Sequence, residues 1–350
     1  MKQKLEDLFL ENPWLAHIII LCLGAILYSQ VIFFGLNYLD DNVIVFNSHQ
    51  LKDIRSAAYL WFQPDFICNA FYRPLLNFSF MLDNQWAGQR PWGYHLTTFL
   101  FHLACSCLVF PLLRSLSYSV LLSLAAALVF TVHPALTQVV SWIPGRTDSL
   151  LAVFIFWGFI FFVRACEANK IGYKIGHLLC FFLALFVKET AVVLPVVCTM
   201  YLFLIRAKWP SWQSILFWAA GWGIPFFIWD FLRITALAEI PPVQTQFAFK
   251  SILENFPALL VYWGKTVFLF NLSVLPYFPD MSLKYGAVAL IFIIVMLVRT
   301  TIQRKSYIIF GFGWFIIFLL PSLGIGTIRY EYRLYVPLVG ALIVFWKPTG

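Results

Sequence analysis

The run Trp14-Leu-Ala-His-Ile-Ile-Ile-Leu-Cys-Leu-Gly-Ala-Ile-Leu-Tyr-Ser-Gln-Val-Ile-Phe-Phe-Gly-Leu36, followed at once by Asn37-Tyr-Leu-Asp40-Asp41-Asn42, decides how the rest of the chain is read. From Trp14 to Leu36 there is no Asp, Glu, Lys or Arg. A helix of that length crosses the roughly 30 Å hydrocarbon core of a bilayer. No small-residue cleavage site follows, so the run reads as a retained helix and not as a signal peptide. At Asn37 the character changes abruptly, and two carboxylates stand at the mouth of the predicted helix.

Composition extends this reading to the whole chain. Of 350 residues, 61% are hydrophobic, 19% aromatic and only 11% charged, against about 45–50% apolar and about 25% charged in soluble domains. So little charge cannot coat a globular surface, which excludes an ordinary soluble enzyme, a disordered protein and a DNA-binding module. The formal net charge of +8 is read as an orientation signal and not as a nucleic-acid footprint. Further apolar segments lie at about 95–113, 117–133, 149–166, 172–187, 190–206, 212–232, 257–272, 284–299, 307–325 and 333–347. All are predicted helical, because an open sheet edge cannot face lipid. The fold class expected is therefore all-α: a polytopic membrane protein of ten or eleven transmembrane helices, forming one domain over 1–350 with no soluble domain.

Lys2 and Lys4 precede the first helix, and Arg114, the Arg164–Lys174 stretch, Arg206 and Lys208 fall in alternate loops. The positive-inside rule then sets the N-terminus in the cytoplasm and segments 37–94, 132–148 and 233–256 on the far side. Strict alternation puts Arg299, Arg304 and Lys305 outside, against the rule. Making 257–272 a re-entrant or surface helix, with Lys265 in it and Pro276 after it, restores agreement. The large loop 37–94 is expected to hold two interfacial helices, 51–62 and 75–86. The seven cysteines show no metal-ligand spacing and read as buried small hydrophobes.

Charges near a bilayer need a reason to be there. Asp40-Asp41 is either a solvated loop pair or, through like-charge repulsion and partial desolvation, a proton acceptor. Arg73, stiffened by Pro74, suits bidentate phosphate binding or a lipid-headgroup contact. His95 could bind an anion, transfer a proton or orient a carboxylate, and His102, seven residues on, reads as a polar packing contact. His133-Pro134 ends one apolar helix. Gly145-Arg146-Thr147-Asp148 opens the next, where Asp148 caps the helix or joins Arg146 at an anion site. Lys188-Glu189 interrupts an apolar stretch and lines a polar cavity or a surface turn. Glu331 and Arg333 form either a structural pair or, at Arg333, a phosphate ligand. No Walker motif, strand-linked GxGxxG or GxSxG is present, so nothing supports a nucleotide-driven mechanism.

The order of these motifs resembles the GT-C glycosyltransferases. Tyr38-Leu-Asp40-Asp41 is similar to their first-loop acidic motif. Tyr72-Arg-Pro-Leu75, Pro91-Trp-Gly93-Tyr-His95 with His102, Phe130-Thr-Val-His133-Pro134, Gly145-Arg146-Thr-Asp148, Lys188-Glu189 and Tyr332-Arg333-Leu-Tyr335-Val-Pro337 follow the branch of transmembrane O-mannosyltransferases with tetratricopeptide repeats and their bacterial relatives. The resemblance spans about residues 30–340. It implies a first outer loop with juxtamembrane helices packed over a helical bundle. It also implies transfer of a sugar (mannose or another hexose or pentose) from a polyprenyl-phosphate carrier, dolichyl- or undecaprenyl-type, to an acceptor protein, lipid or glycan on the non-cytoplasmic face.

On that implication Asp41, then Asp40, is the base of an inverting transfer. Arg73, His95, Arg146, Asp148, Lys188, Glu189 and Arg333 bind donor or carrier phosphate, with His102, His133 and Glu331 in support. No cofactor is demanded, and a divalent cation beside the paired carboxylates stays open. The setting expected is a bacterial plasma membrane, or the endoplasmic reticulum membrane in a eukaryote. Relatives in this branch often carry tetratricopeptide repeats after the membrane part. This sequence ends before any, either short by nature or truncated. A transporter or flippase of lipid-linked sugars is the first alternative, expected to line a midplane path between related halves that the sequence does not show. A non-catalytic membrane assembly protein is the second.

Overall fold

The computed structural model describes residues 2–37, 40–47, 49–208, 210–238, 249–269, 272, 282–324 and 331–346. Among them there is no strand. The helices are α1 (Lys2–Glu11), α2 (Pro13–Tyr28), α3 (Pro74–Ala87), α4 (Pro91–Ser115), α5 (Val120–Val132), α6 (Thr137–Ser141), α7 (Arg146–Ala168), α8 (Ile171–Leu185), α9 (Leu194–Tyr201), α10 (Trp212–Leu237), α11 (Phe249–Asn255), α12 (Ala258–Val267), α13 (Leu283–Val298), α14 (Ile302–Leu323) and α15 (Pro337–Phe345).

Local chemistry sets many of these boundaries. Proline, whose missing N–H costs nothing in a first turn, opens α2, α3, α4 and α15. Ser119, Ser211 and Thr301 accept a backbone N–H from the first turns of α5, α10 and α14. Asn169, in the left-handed region at φ 49°, ends α7.

Each of the eleven apolar segments contains helix. Among the described residues, six helices are long and apolar enough to span a bilayer: Pro13–Phe33, Pro91–Ser115, Ile143–Ala168, Glu189–Arg206, Trp212–Leu237 and Arg304–Leu323. Val120–Val132 with Pro134–Ser141 is a seventh, bent by 51°, because Pro134 follows the last turn of α5 and has no N–H to give. Ile171–Leu185 and Leu283–Val298 are shorter apolar helices. The chain is thus an all-α, multi-pass membrane protein. Helix α12 has ten residues, about 15 Å of rise and half a bilayer. Pro276, on which the re-entrant reading also rests, lies outside the described residues.

Helices α4 and α7 form the centre of the bundle. The most apolar part of α7 is 72% buried, that of α10 only 11%. Ile224, Phe227, Phe231 and Ile234 of α10 are all at least 60% exposed, which suits lipid contact and not water. The tightest neighbours are α4 with α5 and α7, α7 with α8, α12 with α13, and α14 with α15. At Gly286 the backbones of α13 and α12 touch, and a Cβ there would meet the Leu260 carbonyl oxygen. Close approach through small residues is how helices associate where lipid offers no hydrophobic gain.

In the first loop, Asp53 accepts the Arg55 amide and opens a 3₁₀ helix, Ile54–Phe62. A three-residue period turns Ala57 and Leu60 inward and leaves Tyr59 and Phe62 exposed, while Ile54, at the first turn, is exposed as well. Together with α3 and the turn at Val43–Asn47, this helix builds a separate apolar cluster (Ile44, Leu51, Leu60, Leu76, Phe80, Tyr94, Ile143) over one end of the bundle.

Candidate active site

A cavity of about 350 Å³ opens at that end, between the first loop and the ends of α7, α8, α10, α14 and α15. Six residues predicted from the sequence lie on its wall: Asp40, Arg73, Asp148, Lys188, Glu189 and Arg333. Asp41, His95, His102, His133, Arg146 and Glu331 do not line it.

Arg73 owes its place to the turn before α3. The Tyr72 hydroxyl donates to the Trp61 carbonyl at 2.8 Å, and the Leu75 amide donates to the Phe186 carbonyl at 3.1 Å. The first bond ties this turn to the 3₁₀ helix Ile54–Phe62, and the second docks the start of α3 on the end of α8. Arg73 then grips Glu189 bidentately, Nη2 to Oε1 at 2.7 Å and Nε to Oε2 at 3.2 Å. Asp65 lies 3.8 Å from Nη1. Burial opposes the Arg73 charge, but the Glu189 and Asp65 carboxylates outweigh it and hold its pKa above the usual guanidinium range.

Lys188, extended at the end of α8, bonds Asp148 in the first turn of α7 at 2.7 Å. An acid there also complements the helix dipole. Adjacent residues 188 and 189 therefore carry two ion pairs, to α7 and to the residue before α3. Arg333 donates to the Ser322 carbonyl at 3.1 Å.

The carboxylates differ in setting. Asp41 is fully buried, and its Oδ2 accepts the Asn37 amide at 2.7 Å. Burial, helped by the Asp40 charge, pushes its pKa up to about 6 against the pull of backbone amides. Asp40 is half-buried on the cavity wall, and burial raises its pKa too. Asp65 is fully buried, with both oxygens lacking a hydrogen-bond partner of good geometry. Burial carries it to about 6, with Arg73 pulling down and Glu189 pushing up.

The remaining predicted residues hold the framework. Arg146 is fully buried and saturated by the protein. It pairs with Asp83 at 2.5 Å, donates to the Tyr94 carbonyl at 2.6 Å, the Thr98 hydroxyl at 3.2 Å and the Ser79 carbonyl at 3.3 Å, and stacks over Phe80. His95 Nε2 meets the Gly35 carbonyl at 3.2 Å. His102 reaches the Thr131 carbonyl through Nε2, 3.1 Å, so its Nδ1 accepts the Tyr335 hydroxyl at 2.7 Å. His133 accepts the Ala135 amide at 3.3 Å and caps the turn after α5. Glu331 pairs with Lys265 of α12 and pins the turn that carries Arg333. Among the described residues no group of three or more His, Cys, Asp or Glu side chains gathers as a metal site.

Three residues escaped the sequence reading. Asp65 sits in a polar loop, without a motif around it. Asp83 looks like one more polar residue of an interfacial helix. Arg233 lies one residue past the apolar segment predicted to end at 232, whereas α10 continues to Leu237 and brings Arg233 to the cavity wall. An arginine four residues after a tryptophan, near the end of a largely apolar helix that also holds Asp230, was the available signal.

Residues 74–229 match the family described as dolichyl-phosphate-mannose-protein mannosyltransferase. The chain is similar to the protein O-mannosyl-transferase Tmtc1 of Drosophila melanogaster, 31% identical over 183 residues, which are 50% of this chain and 21% of that protein. It is 35% identical to tmtc2 of Xenopus laevis over 105 residues, 30% of this chain and 12% of that protein. It is 30% identical to TMTC2 of Homo sapiens over 135 residues, 37% and 16%. The matches thus span about a fifth or less of these relatives. No solved structure matches the chain. Over the matched region, the resemblance to the GT-C-like transmembrane glycosyltransferases is borne out.

Proposed function

We propose that this chain is a membrane glycosyltransferase that moves a sugar from a polyprenyl-phosphate carrier to an acceptor hydroxyl, with the charged cavity as its site. One observation carries the reading: an otherwise apolar bundle, matched over 74–229 by a mannosyltransferase family, gathers four carboxylates and four cations around a single 350 Å³ cavity at one end. A protein O-mannosyl-transferase name on each relative quoted supports a protein acceptor and mannose. The loop charges support a cytoplasmic N-terminus with the cavity on the opposite face.

In the mechanism, a cavity carboxylate takes the proton of the acceptor hydroxyl. The oxygen attacks the anomeric carbon from the side opposite the carrier, and the bond from that carbon to the phosphate oxygen breaks with inversion. The electron pair leaves on the carrier phosphate, and cavity cations stabilise the growing charge. Asp40 is the base favoured by position, since it lines the cavity. Asp41 lies behind it, its charge coupled to that of Asp40. The ion pairs Arg73–Glu189 and Lys188–Asp148 keep the wall polar without leaving a buried charge unpaired.

The test is incubation of the lipid-reconstituted protein with a panel of polyprenyl-phosphate sugars and a Ser/Thr-containing acceptor. Release of carrier phosphate with stoichiometric appearance of the glycosylated acceptor is expected. Passage of the intact donor across the bilayer without cleavage would replace this reading with transport.

A further inference from the structure

The described cations of the cavity are engaged in different ways. Arg73 is held by Glu189, Lys188 by Asp148 and Arg333 by the Ser322 carbonyl. Arg233 differs. No carboxylate lies within 4.0 Å of it among the described residues. Its guanidinium instead stands over the indole of Trp229, 5.8 Å from the ring centroid. The two residues are one helical turn apart on α10, i and i+4, so they share a face, and both line the cavity.

Trp229 supplies a second, independent observation. It is 5% exposed, and its indole N–H is buried with no hydrogen-bond acceptor among the described residues. A buried donor normally finds a partner, because leaving one unmet costs its full desolvation. Here a guanidinium fork without an acid and an N–H without an acceptor meet at one cavity wall. Donors without acceptors fit an anion, and a planar fork fits a phosphate in particular.

The same helix shows what carries that phosphate. The rest of α10 presents Ile224, Phe227, Phe231 and Ile234 outward as an exposed apolar strip. The strip lies on the face of α10 opposite to Trp229 and Arg233, so this helix stands between lipid and the cavity, and an amphiphile passing its edge would put its phosphate at Trp229 and Arg233 while its tail stays in lipid. We propose that Trp229 and Arg233 form an oxyanion subsite on α10 that takes the phosphate of a lipid-borne ligand. Under the function proposed above, on which this identification of the ligand rests, the ligand is the carrier phosphate. Arg233 then stabilises the leaving group, while Asp40 serves the acceptor.

The test is direct binding to the full chain in nanodiscs, with undecaprenyl phosphate, undecaprenol, phosphatidic acid and inorganic phosphate as probes. Arg233→Gln is expected to weaken undecaprenyl phosphate binding roughly 10- to 100-fold, the worth of a charge-assisted contact, and to leave undecaprenol binding unchanged. Arg233→Lys, which keeps the charge and loses the fork, falls between. Trp229→Phe, which keeps a ring and deletes the N–H, costs about 3- to 10-fold. Arg233-dependent binding of undecaprenyl phosphate alone supports the subsite and names the carrier. The same dependence with phosphatidic acid supports it and names a membrane headgroup. Binding of inorganic phosphate as tight as that of either lipid overturns the lipid assignment.

Wild-type affinity for undecaprenyl phosphate in Arg233→Gln, or a parallel loss of undecaprenol, overturns the subsite. Failure of the wider reading looks different. Arg233-dependent binding without sugar transfer to any acceptor would sink the glycosyltransferase proposal and leave the subsite standing. Transfer with an unchanged donor KM in Arg233→Gln would do the reverse.

Discussion

Arg146 distinguishes a ligand from a brace. Its motif, Gly145-Arg146-Thr-Asp148 at the head of a helix, suggests a phosphate site, yet the structure gives every face of the guanidinium to the protein. The perturbation is Arg146→Met, which keeps the stem and removes the charge. It leaves the Asp83 side chain, 2% exposed, without its counter-charge. The Thr97 hydroxyl, 2.7 Å from Oδ1, is its remaining partner. The carbonyls of Ser79 and Tyr94 lose a donor as well. Removing one member of a buried pair costs about 3–5 kcal/mol, whereas replacing both with apolar side chains is often neutral. We therefore expect Arg146→Met to unfold well before wild type in an SDS titration of the reconstituted protein, followed by tryptophan fluorescence. Adding Asp83→Leu should restore at least about 2 kcal/mol, a coupling within the range for contacting residues. If Arg146→Met unfolds with wild type and instead raises the donor KM, the arginine is a phosphate ligand and the brace argument fails.

Further outcomes follow from the same geometry. Asp40→Asn should lower kcat by about 10²- to 10⁴-fold, the usual worth of a general base, with the SDS midpoint unmoved; a rate near wild type would move the role elsewhere. Asp65 and Asp41, near 3.8 when unfolded and about 6 in the fold, bind protons more tightly folded than unfolded. The stability they contribute is full below about pH 4 and is lost as pH rises through about 6. Asp65→Asn should flatten that decline in SDS titrations run from pH 4 to 7, and an unchanged slope would contradict the buried-carboxyl account. Gly286→Ala drives a Cβ into the Leu260 carbonyl. It should cost about 1–3 kcal/mol by overpacking, and an unchanged SDS midpoint would show that α12 and α13 can part freely.

Much of the fold was legible because lipid leaves few choices. A backbone without water must be helical, so runs such as Trp14–Leu36 and 95–113 show themselves by length alone. Half-length helices such as α12 were harder, since their apolar character matches that of a span and only burial by neighbours tells them apart. The site divided along a similar line. Asp40, Arg73, Asp148, Lys188, Glu189 and Arg333 stood out as charges in apolar surroundings, and one cavity holds all six. Arg146 stood out equally, but no local pattern could reveal Asp83, 63 positions earlier, as its partner. Asp65 was invisible because what makes it unusual is created by the fold, which buries it with its amide on the Phe71 carbonyl and its carboxylate beside Arg73. Arg233 was hidden by an apolar window that closed one residue short.

The adjacent pair Lys188-Glu189 explains why the cavity keeps its form while its parts come from remote stretches. Lys188 reaches α7 through Asp148, and Glu189 reaches the start of α3 through Arg73. The third side of that triangle is Arg146 with Asp83, which ties α7 to α3 directly. Three ion pairs thus join three segments in a closed loop, and none can shift without straining the other two. Such a frame suits a site where the acceptor oxygen and the donor's anomeric carbon must meet within a near-attack distance of about 3–3.5 Å, with the carrier phosphate on the far side of the sugar. It also explains the division of cations. Those that hold the frame carry acids of their own, and the one set on the lipid-facing helix, Arg233, has none among the described residues. Holding Arg73 and Lys188 in the frame and Arg233 for the ligand means a phosphate can enter and leave without unlocking the walls.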